Sequence, residues 1–66
     1  MLKKEIEKKL NLKNPEKASS FTGRFYIYDD NILVQYKNST LSINGKFLYR
    51  EIILYNGFNK ESIWMS

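Results

Sequence analysis

The chain has no cysteine and no histidine. Missing thiols exclude disulfide staples and a thiolate nucleophile, and missing imidazoles remove the commonest general base and a usual zinc ligand. A cysteine-free chain fits a reducing compartment, and equally a disulfide-free secreted protein. Proline occurs once, and the three glycines, Gly23, Gly45 and Gly57, stand apart, so no phosphate-cradling glycine loop is present. Long apolar runs are absent too. The longest, residues 25–28 and 52–55, are far short of the roughly 20 residues that cross a bilayer. Met1-Leu2-Lys3-Lys4 runs into Glu5 instead of an apolar signal core. These absences lead us to expect a cytoplasmic, non-enzymatic protein with no cofactor, no metal and no membrane association.

The remaining reactive side chains do not assemble locally. Asp29-Asp30 is an adjacent carboxylate pair in a polar stretch, which is the pattern of a tight turn, where Asp bonds its own backbone. A calcium loop needs more oxygen ligands than that. Lys60-Glu61-Ser62 lies in a strand pattern, and no Ser-Lys dyad is expected there.

Net charge is +4, which by itself suggests nucleic acid. Its placement argues otherwise. Residues 1–17 hold six Lys and three Glu, a net of +3, whereas residues 18–66 hold five basic and four acidic side chains, a net of +1. Nine of the eleven basic residues are Lys, alongside abundant Asn, Ile and Tyr, a mixture that AT-rich codons supply.

Sixty-six residues make one domain, 1–66, close to the lower limit of independent stability. Leu2, Ile6 and Leu10 recur at helical spacing within LKKEIEKKL, with Glu5 placed to pair with Lys8 and Lys9. Residues 11–20 read as a connector, with Asn14-Pro15-Glu16 starting at most one further helical turn through Ser19. From Phe21 the period changes to two. Residues 46–55, KFLYREIILY, form the clearest strand because Asn-Gly stands on both sides, at Asn44-Gly45 and Asn56-Gly57. With further turns at Asp29-Asp30 and Asn38-Ser39, residues 21–66 read as five strands. The expected fold is α+β: a short N-terminal helix followed by a five-stranded antiparallel meander, flat or curled into a small SH3/Sm-like barrel.

Giving every turn two residues carries the register across the sheet. One face then collects Phe25, Ile27, Ile32, Val34, Tyr36, Leu41, Ile43, Leu48, Ile52, Leu54, Ile63 and Met65 for the helix to cover. The other collects Tyr26, Tyr28, Phe47, Tyr49, Tyr55, Phe58 and Trp64, with Arg24 and Lys37. On this register Arg50 is diagonal to Glu61 and Glu51 to Lys60. Aromatic side chains with a nearby Arg are favoured at protein hot spots. The candidate partner-binding residues are therefore Arg24, Tyr26, Tyr28, Lys37, Phe47, Tyr49, Tyr55 and Trp64. A curled sheet would instead bury Phe47 and Trp64 as core.

Gly23, Asp29 and Ile32 in GRFYIYDDNI, with Leu48-Tyr49-Arg50 later, resemble the glycine, aspartate and apolar spacing of Sm-like proteins, including the bacterial RNA chaperone. The chain departs from that pattern in lacking a first strand between Asn11 and Gly23. It also reads Tyr49-Arg50-Glu51 where the chaperone has Tyr-Lys-His. The resemblance implies a nucleic-acid-binding small β-barrel, Sm-like or OB-like, for single-stranded RNA or DNA. The reading preferred here is occupation of a protein partner's surface, with self-association as another way to cover an open face. In make-up the chain resembles inhibitors and accessory proteins of phages and mobile elements, anti-CRISPR proteins among them.

Overall fold

The computed structural model describes residues 1–19 and 24–65. Its elements are α1 (Lys3–Lys9), β1 (Glu16–Ser19), β2 (Arg24–Tyr28), β3 (Ile32–Leu41), β4 (Phe47–Asn56) and β5 (Asn59–Trp64), with a 3-10 turn at Asp29–Asn31. All five strands pair antiparallel in chain order, which is the expected helix and meander. β1 and β5 are the two edges and do not pair with each other, so the sheet is open and not closed into a barrel. Among the described residues no helix is long and apolar enough to cross a membrane.

The strand boundaries differ from expectation in two places. Pro15 precedes a strand: β1 lies where a connector and a helical turn were expected, its Glu16 and Lys17 paired with Ile27 and Tyr26. Asn38-Ser39 is no turn, because β3 runs through it and Ser39 pairs with Tyr49. Ile43 accordingly sits in the β3–β4 loop, fully exposed. The expected strand start at Phe21 lies outside the described residues, and β2 begins at Arg24.

Three loop lengths decide which side chains share a face. The β2–β3 connection holds three residues, since Tyr28 pairs with Ile32, and Asp30 and Asn31 take the positive φ such a loop needs. One residue more than a two-residue turn reverses the face of a whole strand. Tyr26 and Tyr28 therefore lie with Val34 and Ile32 under the helix, and Phe25 and Ile27 turn outward, the opposite of the expected sorting. Between β3 and β4, Ser42 donates its N–H to the Lys46 carbonyl at 2.7 Å, and Gly45 has φ +79°, so this loop also exceeds two residues. Between β4 and β5, Asn56 pairs with Asn59, and Gly57 supplies positive φ at the first central position. That moves β5 along β4, so Glu51 faces Trp64 and Lys60 faces Tyr55. The expected Arg50–Glu61 and Glu51–Lys60 pairs do not form; the one ion pair among the described residues is Lys3–Glu7, also in place of the expected pairs from Glu5.

A further slip occurs within the long hairpin. Asn38 has φ +51° and sits opposite Arg50 between the Lys37–Glu51 and Ser39–Tyr49 pairs, whose register is unchanged on either side. Both strands thus advance their alternation by one residue at the same level. Tyr36 and Ile52 belong to the core on one side of this point, and Tyr49 belongs to it on the other.

The core lies between α1 and one face of the sheet. Ile6 is fully buried against Val34, Tyr28, Tyr36, Tyr49 and Ile52, with Leu12 completing the cluster. Burying an isoleucine so contributes about 1.5–3 kcal/mol, which helps hold a helix too short to persist alone. The backbone nitrogen of Met1 donates to the Tyr49 carbonyl at 2.8 Å, and the Tyr49 N–H donates to the Met1 carbonyl at 2.8 Å. Met1 so continues the edge of β4 where β5 ends, and it fixes the start of α1 to the sheet.

Candidate functional site

The eight residues expected to form one aromatic surface divide between the two faces. Arg24, Tyr26, Tyr28, Phe47 and Tyr49 lie on the helix side. Lys37, Tyr55 and Trp64 lie on the outer side, in the rows Lys37–Glu51–Trp64 and Leu33–Tyr55–Lys60. Tyr49, at 5% exposure, and Tyr28, at 3%, are core side chains and present no ring to a partner.

On the helix side the rings are tied to one another and to α1. Tyr36 meets Tyr26 edge-on, ring centroids 5.8 Å apart, and Tyr49 at 5.1 Å. The Tyr28 hydroxyl donates to Glu7 Oε2 at 2.7 Å and accepts from the Tyr36 hydroxyl, and Lys3 Nζ reaches the same Glu7 oxygen at 2.7 Å. Burial pushes the Tyr36 hydroxyl up to about 12, partly opposed by its bond to Tyr28. Burial likewise raises Tyr28, reinforced by its bonds to Tyr36 and Glu7. Tyr49 is raised by burial against the opposing charge of Arg24. None of these phenols is poised to act as a base near neutral pH. Towards the start of β4 the core thins, and the Arg24 guanidinium lies 4.2 Å from the centre of the Phe47 ring, which is 39% exposed.

The outer face is built differently. Antiparallel sheets with one solvated face usually alternate apolar and polar side chains. Here Ile52-Ile53-Leu54-Tyr55 puts apolar groups on both faces of β4, as in strands covered on both sides. Ile53 is buried outside the helix-side core cluster, in register with Gln35 and Ser62. Around it lie Phe25, Ile27 and Leu33 from β2 and β3, and Tyr55 and Trp64. Ile27 is 41% exposed and Trp64 66%. Glu51 is buried at one end, its carboxylate accepting from Asn38 Nδ2 at 2.8 Å and Ser62 Oγ at 2.6 Å, so its charge is held within the face. No element of the described chain covers this surface.

Leu33 and Ile53 lie on the outer face as alternation with Ile32, Val34, Ile52 and Leu54 implies, whereas Phe25 and Ile27 are outer-face residues that a two-residue turn misassigned, and with them Tyr26 and Tyr28. The signal that locates them is loop parity at residues 29–31, which composition does not reveal. No family model, curated protein or solved structure matches the chain.

Proposed function

We propose that the protein is a non-enzymatic binding protein that acts in the cytoplasm by laying the outer face of its sheet against a protein partner. The observation that supports this reading is the double-sided apolar pattern of β4, which builds a second core layer whose other half the described chain does not supply. Trp64 at the rim and Ile27 on the opposite side of Ile53 are the exposed anchors, and Trp is enriched among hot-spot residues. A nucleic-acid strand finds less to hold there. Lys37 and Lys60 share the face with Glu16 and Glu51, so no continuous basic track follows the stacking surface. We extend this reading to an inhibitor or accessory protein of a phage or mobile element, and for that extension the support is the chain's make-up alone.

The test is capture from the native host with nuclease present, comparing the natural chain with Ile27→Asp and Trp64→Asp. Both side chains are exposed enough for the fold to tolerate a charge, so circular dichroism stays unchanged while a stoichiometric partner is lost. Capture that survives both substitutions, or that disappears with nuclease alone, contradicts the proposal. Sedimentation of the purified chain identifies self-association as the alternative occupant.

A further inference from the structure

On the other side of the sheet, between the start of α1 and β4, a recess of about 370 Å³ is lined by Leu2, Lys3, Lys4, Gly45, Lys46, Phe47 and Tyr49. Its floor is apolar and aromatic, and its rim is cationic. We infer that this recess binds an acidic segment of a polypeptide, carboxylates against Lys4, Lys46 and Arg24 and an apolar side chain on Phe47.

Four observations carry the assignment. First, the acidic residues nearest the rim are already engaged within the chain: Glu7 by Lys3 and Tyr28, and Glu5 through Oε1 by the Leu2 N–H at 2.8 Å. Second, Lys4, Lys46 and Arg24 have no ion-pair partner among the described residues. Third, Arg24 lies against Phe47, and a guanidinium held on a ring keeps its in-plane donors free to take a carboxylate with two parallel hydrogen bonds. Fourth, the walls are fixed before any ligand arrives, because the paired backbone bonds between Met1 and Tyr49 hold the start of α1 beside the floor. A preformed site loses less ordering entropy on binding.

The same cations would attract a phosphate, but the floor disfavours a nucleic-acid strand. Base stacking needs successive open ring faces. Phe47 already carries Arg24 and Tyr49 is buried, so only one partly open ring remains. The recess is on the opposite side from Trp64, and its assignment does not rest on the outer-face proposal.

The experiment uses the full chain and three fluorescent probes at low salt. They are a peptide of four Glu-Glu-Phe repeats, its Gln-Gln-Phe counterpart, and an oligo-dT of matching length. The glutamate peptide binds, with amide shifts centred on Lys4, Lys46 and Phe47. Combining Lys4→Glu with Lys46→Glu weakens it about tenfold or more, since two exposed charges turn from attraction to repulsion. Arg24→Lys weakens it while retaining the charge, because the planar fork is lost. Trp64→Asp leaves the affinity unchanged, which separates this site from the outer face. Equal binding of the glutamine peptide, binding of oligo-dT alone, shifts confined to other residues, or no binding of any probe overturns the assignment.

Discussion

Tyr49 and Ile52 lie three residues apart on β4, and both point into the core beneath α1. Strict alternation would set them on opposite faces; the advance at Asn38 and Arg50 brings them together. Tyr49 is therefore a structural side chain, and Tyr49→Ala is expected to cost about 3–5 kcal/mol, as for other large buried rings. At about 0.1 kcal/mol per residue a domain this small holds about 6–7 kcal/mol, so the variant should keep only about 2–3 kcal/mol and unfold at a much lower urea concentration. Trp64→Ala, on the exposed outer face, should cost less than about 1 kcal/mol. Urea unfolding of the two variants checks both values.

Removing one hydroxyl tests the tie between helix and sheet. Tyr28→Phe takes a donor from Glu7 and leaves the buried Tyr36 hydroxyl without its acceptor, at an expected cost of about 1–3 kcal/mol. Tyr36→Phe should cost less, because Glu7 keeps its donors from Tyr28 and Lys3. Chemical denaturation at neutral pH, comparing midpoints at constant slope, measures both.

Alkaline pH should unfold the protein. Tyr28, Tyr36 and Tyr49 hold their protons more tightly when folded than the usual phenol, chiefly through burial. The unfolded chain releases them near pH 10, so it binds fewer protons than the native state above that point. Stability is then complete below about pH 10 and falls as pH rises through the folded values, by about 1.4 kcal/mol per pH unit for each tyrosine still protonated. Phenolate absorbance followed beside circular dichroism is expected to show a late fraction of tyrosines titrating together with loss of structure.

Much of the fold was legible from residue spacing. Leu2, Ile6 and Leu10 mark α1, and the two Asn-Gly pairs delimit β4, because helical period and positive-φ turns leave local signatures. β1 was not legible: Glu16, Lys17 and Ala18 form a polar edge strand without apolar alternation, and Pro15 reads equally as a helix start. Ile32, Val34, Tyr36, Ile52, Leu54 and Ile63 share the helix-side face as alternation predicts, but the facing of β2 was not legible. It depends on whether a loop has two residues or three, and Asp29-Asp30-Asn31 permits both. Asn38 gave a turn signal for a good reason, since it takes positive φ, but it spends that conformation inside a strand. The binding candidates inherited these errors, which is why Tyr55 and Trp64 stayed outward while Tyr28 and Tyr49 became core.

Asn38 carries two separable contributions. Asn38→Gly keeps the positive φ and loses the bond to Glu51, while Asn38→Val loses the bond and forces a branched side chain into the left-handed region. The glycine variant should cost about 1 kcal/mol, and the valine variant about 1–2 kcal/mol more. Thermal unfolding of the pair gives the difference directly.

The advance of both strands at Asn38 decides which rings are core and which face outward, and nuclear Overhauser contacts from the Tyr49 ring test it most directly. The structure requires cross-peaks to the Tyr36 ring, whose centre is 5.1 Å away, and none to the Trp64 indole. Cross-peaks from Tyr49 to Trp64, with none to Tyr36, would return both rings to one face and contradict the core and the outer surface described above.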